Sequence, residues 1–128
     1  MANILVNDIA DYLANEELGT VGTDIFVGNQ PGSPTNCITV IDTGGTAPPI
    51  DLPSRKSTFQ VLVRNSEYPT GAQMLESIRS ALHNKYGITL VPGGNYCHSI
   101  NAQSEGGHIG KDDLGNDEFS MNFMAYVR

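Results

Sequence analysis

The sequence contains no tryptophan, only two cysteines, and half as many basic as acidic side chains. Seven Lys and Arg residues against fourteen Asp and Glu residues give a net charge of −7. A nucleic-acid-binding surface needs clustered basic side chains to displace the counterions of the phosphate backbone. The one short basic stretch is Arg55-Lys56. This balance argues against a nucleic-acid-binding protein.

Two further absences bear on where the protein works. Cys37 and Cys97 are too few for the disulfide framework of a small secreted domain. No run approaches the roughly 18 apolar residues of a membrane span, and the N-terminal residues lack the features of a signal peptide. We therefore expect a protein made in a reducing cytoplasm, without disulfides and without a membrane partner.

Hydrophobic periodicity predicts two amphipathic helices, over residues 4–17 and 71–86. The apolar residues of the first helix recur at offsets of zero, four, seven and eight from Leu5. The predicted N-caps are Asn3 and Thr70, and the predicted helix-ending residues are Gly19 and Gly87.

Runs rich in β-branched and aromatic residues predict the strands. They are Ile25–Val27, Cys37–Ile41, Thr58–Arg64, Tyr96–Ser104 and Glu118–Val127, with a short extended piece after Gly87. The last strand places Phe119, Met121, Phe123, Ala125 and Val127 on one face. Strands and helices do not alternate throughout the chain. The order therefore predicts one α+β domain over residues 1–128, with a mainly antiparallel or mixed sheet of about five strands and two helices on one face.

Residues 43–57 form the longest predicted irregular segment. Gly44-Gly45 and Pro48-Pro49 interrupt it. Loops beyond roughly 12–15 residues are uncommon in compact domains and often carry function.

An acidic cluster near the C-terminus is the first candidate site. It consists of Asp112, Asp113, Asp117 and Glu118. A calcium loop needs oxygen ligands at alternate positions, but Leu114 stands where a ligand should be. Gly115-Asn116-Asp117 has good turn chemistry, since Gly and Asn can take a positive φ. The cluster is therefore interpreted as a turn before the last strand.

Other chemical groups lack the spacing that a site requires. His83, His98, His108, Cys37 and Cys97 do not form the close ligand pairs of a zinc site. Cys97 and His98 are adjacent on one predicted strand, and His83 is expected on the exposed side of the second helix. No nucleophile elbow occurs, and the Gly-rich stretches lack the Lys and Ser/Thr of a phosphate-binding loop. We predict no catalytic, cofactor-binding or metal-binding residues.

The order of four segments resembles a known family. They are "YLANEELGTVG", "DIFVGNQPGSPTNCITVIDTGG", "FQVLVRNSEYPTGAQMLESIRSAL" and "GKDDLGNDEFSMNFMAYVR". Together they resemble the minor capsid, tail-completion or tail-terminator proteins of long-tailed bacteriophages, over nearly the whole chain. The resemblance implies a structural virion protein at the head–tail junction, not an enzyme, and without a cofactor. It implies a ring, commonly hexameric, that ends tail-tube growth and joins the tail to the head connector.

Given that resemblance, the segment over residues 43–57 is the expected interface. Ile50 and Leu52 would be apolar anchors among prolines, and Arg55 and Lys56 would supply charge. The expected partners are other copies of the chain, the tail tube protein and a connector protein, while DNA passes the negatively charged lumen without specific binding. Two alternatives stay open: a head-completion protein, and a small ligand-binding or enzymatic domain that uses the Gly-rich loops.

Overall fold

The computed structural model describes residues 4–32, 34–45, 55–103 and 106–128. Within these ranges the chain forms two helices and seven strands. In chain order they are α1 (Leu5–Asn15), β1 (Ile25–Val27), β2 (Cys37–Gly45), β3 (Arg55–Asn65), α2 (Tyr68–Leu82), β4 (Lys85–Thr89), β5 (Tyr96–Ala102), β6 (Gly107–Lys111) and β7 (Asp117–Val127).

All seven strands belong to one mixed sheet in the order β1-β2-β3-β7-β5-β4, with β6 also paired to β7. The β1–β2 pair is parallel and every other pair is antiparallel. Strand β7 is central: β3 pairs with its whole length on one side, while β6 and β5 follow one another along the other side. The α+β prediction is confirmed, with seven strands instead of about five.

Period-two alternation in β7 builds the core. Its five predicted apolar residues are all buried. Phe123 stacks on Phe59 of β3 with ring centroids 5.3 Å apart, and both rings are fully buried. Ile9 of α1 and Ile78 of α2 belong to the same buried cluster. Both helices therefore pack on this face of the sheet, which we call the inner face.

The opposite, outer face is lined by the alternate side chains of β3 and β7. Its residues include Gln60, Leu62, Asn122, Met124 and Tyr126, which are partly or largely exposed. The outer face is therefore half open to solvent.

Helix α1 differs from its prediction at both ends. It is shorter, and its N-cap is Ile4 without a side-chain capping bond, while Asn3 lies outside the described residues. The positive φ after the helix falls on Glu17 (64°) and not on Gly19. Position 19 instead requires glycine for its small size. A Cβ there would lie 2.6 Å from the Asp24 carboxylate and 2.9 Å from the Ile25 side chain.

Helix α2 also differs at both ends. Its N-cap is Glu67 and not Thr70, and Pro69 lies within its first turn. It ends at Leu82, because His83 is already extended and Asn84 has a φ of 61°. Residues 85 and 86, predicted as helix, open strand β4.

The prediction of an irregular segment over residues 43–57 was wrong at both its ends. Strand β2 continues to Gly45 and β3 begins at Arg55, so both strands are longer than predicted. An irregularity near Gly44 lets the strand accommodate the glycine pair, and the Asp42 carboxylate accepts the Gly44 N–H at 2.8 Å. Residues 46–54 lie outside the described ranges.

Candidate assembly surfaces

The β6–β7 turn is held by one aspartate. The Asp112 carboxylate accepts the backbone N–H groups of Asn116 at 2.8 Å and Leu114 at 2.9 Å, and Gly115 has a φ of 83°. These bonds, above all the one from Asn116, keep the pKa of Asp112 below its ordinary value. The interpretation as a turn is confirmed for Asp112 and Asp113, whereas Asp117, also predicted in the turn, and Glu118 belong to β7.

This turn exposes apolar as well as acidic side chains. Leu114 is 83% exposed and Ile109 is 59% exposed, the former at the tip and the latter on β6. Asp113 is exposed beside Leu114. Contact surfaces typically combine an apolar centre with a polar rim.

Asp117 is the exception within the acidic cluster, because it is buried at the start of β7. Its carboxylate accepts hydrogen bonds from His108 Nε2 at 2.9 Å and lies 3.2 Å from Lys111 Nζ. Burial opposes ionisation of Asp117, but these two partners outweigh it and hold its pKa below the ordinary value. The His108 ring in turn packs edge-on against Tyr68. Through His108, Asp117 therefore links the β6–β7 strand pair to Tyr68 at the start of α2.

The other end of the sheet carries basic and aromatic side chains. Lys56 Nζ lies 6.0 Å from the centroid of the Tyr126 ring, and the Arg128 guanidinium lies 5.6 Å from that of Tyr96. His98 packs edge-on against Tyr96 at 5.2 Å. These are cation–π and aromatic contacts on a partly exposed surface.

Of the four residues predicted for the interface, two lie within the described ranges and two do not. Ile50 and Leu52 lie outside the described ranges. Arg55 and Lys56 are the first two residues of β3, paired with the last residues of β7. Sequence reasoning missed the other members of this surface, Tyr126 and Arg128. The alternation of apolar and polar residues in β7 could have indicated Tyr126, because it puts this side chain on the face opposite the core.

Antiparallel pairing separates charge along the sheet. Lys56 pairs with Tyr126 at one end, and Arg64 pairs with Glu118 at the other. The basic end therefore comprises Lys56, Tyr96, Tyr126 and Arg128. The acidic end comprises Glu67, Ile109, Asp112, Asp113, Leu114 and Glu118.

Two basic side chains near the acidic end have partners within the chain. Arg64 is buried and donates to three backbone carbonyls, those of Pro31 at 2.6 Å, Pro34 at 2.8 Å and Thr35 at 2.9 Å. The Lys111 side chain is 61% exposed, but its charge is offset by the Asp117 carboxylate 3.2 Å from its Nζ. Arg64 thus holds the segment between β1 and β2 against the end of the sheet, and the exposed charge at this end remains acidic.

A second polar contact occupies the Gly-rich turn between β4 and β5. The buried Asp8 carboxylate of α1 accepts both the backbone N–H and the side-chain amide of Asn95, each at 2.7 Å. A Cβ on Gly94 would lie 2.8 Å from the same carboxylate oxygen. The Asp8 carboxylate would repel an anion that approached this turn. The turn is therefore a structural contact with α1.

The described residues offer little else to a small ligand. The cleft beside Leu18, Cys37 and Met74 has a volume of about 80 Å³, against roughly 300–1,000 Å³ for small-molecule pockets. A larger polar groove of about 370 Å³ runs between the ends of α1 and α2, beside Glu16 and Glu76. It is an open surface groove without a convergent set of catalytic groups.

The histidines and cysteines are dispersed. Within the described ranges no three potential ligands lie together. Cys97 is buried and His98 is exposed, as expected for neighbours on one strand. The prediction that His83 lies on the exposed side of α2 was wrong: it follows the helix, is half-buried, and its Nδ1 accepts the Ala102 N–H at 3.0 Å. None of the helices in these ranges is long and apolar enough to cross a membrane.

Comparison with known proteins decides the family. A family model described as "Bacteriophage tail terminator protein" matches residues 12–127, which is nearly the whole chain. The chain belongs to the bacteriophage tail terminator family. This tail terminator is therefore a structural virion protein with a role in tail assembly. None of the curated proteins matches the chain.

The fold has solved relatives. One is a chain from a structure titled "Virion of native gene transfer agent (GTA) particle", with a TM-score of 0.60 and 14% sequence identity. The match covers 93% of this tail terminator and 83% of that chain. At this identity the comparison shows a shared fold.

Proposed function

We propose that this tail terminator forms a closed ring, commonly of six copies, at the head-proximal end of the tail. The ring ends growth of the tail tube and joins the tail to the head connector. The observation that carries the proposal is the family match over residues 12–127. The shared fold with a chain of a virion particle supports it.

The exposed apolar residues also support an assembly role. Tyr68, Ile109 and Leu114 are exposed toward the acidic end, whereas Tyr86 and Tyr126 are exposed in one row near the basic end. Large apolar side chains exposed in groups are typical of protein contact sites. A subunit with two different contact surfaces forms head-to-tail contacts, and such contacts close into a ring when the rotation between copies permits it.

Charge supports the proposed passage of DNA. Each copy carries a net charge of −7, so a ring multiplies this negative charge around its lumen. Like charge repels the phosphate backbone and keeps DNA from adhering to the wall.

The decisive experiment examines the purified protein by native mass spectrometry and electron microscopy, and then adds it to growing tail tubes. We expect rings of one stoichiometry, and tubes that stop elongating at the capped end. Tubes that elongate at the same rate with and without the protein would contradict the proposed termination. A strict monomer at all concentrations, with or without tubes, would contradict the ring.

The segment over residues 43–57 is proposed to contact the tail tube or the connector through Ile50 and Leu52. The variant that combines Ile50→Ser and Leu52→Ser should bind tubes more weakly, because it removes both apolar anchors. Asp51→Asn is the matched control, since it changes the residue between them and keeps both anchors. Equal binding to tubes and to the connector protein by both variants and the unsubstituted protein would remove these residues from the interface.

A further inference from the structure

We propose that neighbouring copies in the ring meet end to end, with the acidic end of one copy against the basic end of the next. The Leu114 side chain would be the apolar anchor, and the aromatic rings near Lys56 and Arg128 would form the surface that receives it. This inference rests on the proposed ring and names the surfaces that build it.

The acidic end presents a preorganised anchor. Two backbone N–H groups bond to the Asp112 carboxylate and fix the turn, while Leu114 at its tip remains 83% exposed. Binding through a fixed turn loses little conformational entropy, because the backbone is already ordered. Asp113, the neighbour of Leu114 in the chain, and Glu67, the N-cap of α2, are both exposed and add negative charge at this end.

The basic end presents a complementary platform. A cross-strand row runs from Lys56 through Tyr126 and Ser99 to Tyr86, across β3, β7, β5 and β4. Tyr126 is 41% exposed and Tyr86 is 63% exposed. Tyr and Arg are among the side chains enriched in protein contact surfaces. They offer apolar area to a leucine and positive charge to an acidic rim.

Charge complementarity favours a second copy of this chain as the occupant. The two ends carry opposite charge on one molecule, and β7 separates them by about ten residues, or roughly 34 Å. A surface that complements the far end of its own chain suits a heterologous contact. Closure of a ring would occupy both ends of every copy. No complementary pair would then remain exposed for a further copy to join the ring.

The test uses charge reversal at one end at a time. One variant combines Lys56→Glu and Arg128→Glu, and the other combines Glu67→Lys and Asp113→Lys. Each variant alone would place like charges at every contact, so we expect loss of the ring in native mass spectrometry and sedimentation. An equimolar mixture would alternate the two variants, and every contact would again join opposite charges. We therefore expect rings to return in the mixture, with both variants in equal number.

Two controls accompany the mixture. Asp11→Lys reverses an exposed charge in the middle of α1, away from both ends, and should leave rings intact. Leu114→Ser should weaken ring formation without lowering the melting temperature, because the side chain is largely exposed and packs on little. Circular dichroism of each variant checks that the fold is retained.

The outcomes separate this inference from the proposed function. Rings of the unsubstituted protein that persist in both charge-reversed variants would overturn the end-to-end contact and leave the ring proposal standing. Absence of rings in the unsubstituted protein, with or without tail tubes, would overturn both. Retention of double-stranded DNA by the unsubstituted protein, lost on Lys56→Glu with Arg128→Glu, would assign the basic end to nucleic acid and overturn the contact between copies.

Discussion

Truncation of Phe123 to alanine is the sharpest test of the core. The ring is fully buried in the centre of β7 and stacks on Phe59 at 5.3 Å. Removing a buried Phe side chain typically costs 3–5 kcal/mol, through lost transfer free energy and the cavity left behind, so we expect a loss of about 4 kcal/mol. This is a large part of the roughly 5–15 kcal/mol stability of a domain.

Thermal and urea unfolding measure this loss. For a chain of this length, about 4 kcal/mol corresponds to a fall of roughly 10–20 °C in melting temperature. Asn122→Ala is the matched control, because Asn122 is the preceding residue of β7 and is exposed on the outer face. Substitutions at such surface positions usually change stability by less than about 0.5 kcal/mol.

Two results would refute the reasoning. A Phe123→Ala protein as stable as Asn122→Ala would show that Phe123 is not a core residue. If that stable protein also failed to form rings, β7 would be an interface element and not the centre of the core.

Three further predictions concern packing, acid and metal. Gly71→Ala should destabilise the protein by about 1–3 kcal/mol, because the new Cβ would collide with the Phe119 ring; Gly107→Ala, with open space, is its control. The pKa of Asp117 lies below its ordinary value of 3.8, so its stabilising contribution is complete above about pH 4 and is lost as pH falls through the lowered pKa. The urea midpoint should therefore fall more steeply with acid in the unsubstituted protein than in Asp117→Asn. Calcium should leave the melting temperature unchanged, because Asp112 binds its own turn.

Each of these has a contrary outcome. Equal stability of Gly71→Ala and Gly107→Ala would mean that the α2–β7 contact is looser than described. Parallel pH curves for Asp117→Asn and the unsubstituted protein would show that the His108 and Lys111 contacts do not stabilise the folded state. A calcium site at 100 times its dissociation constant would add about 2.7 kcal/mol, and such a rise would refute the turn as a purely structural element.

Periodicity in the sequence determined the elements whose two faces differ strongly. The five apolar residues of β7 alternate with polar ones, and burial follows that alternation residue by residue. The apolar face of α1 likewise predicted its buried side. These signals are local, because one face of each element meets the core and the other meets water.

Element ends were less predictable, because they depend on contacts distant in sequence. The sequence predicts Gly19 as a helix-ending residue with positive φ, but the Asp24 and Ile25 side chains require its small size. Gly44-Gly45 reads as a loop, yet pairing with β3 holds it in a strand. Strand β6 has two glycines in five residues and was missed, since its backbone pairing with β7 leaves no hydrophobic pattern in the sequence.

The candidate surfaces likewise combine features that the sequence predicts with features that only the tertiary structure determines. Composition determined the excess of negative charge, and turn chemistry determined the conformation of residues 112–116. Only the tertiary structure decided that Lys56 and Arg128, 72 positions apart, share one end of the sheet with Tyr126. Strand register brings these side chains together, and register depends on pairing across the whole sheet, which no single segment encodes.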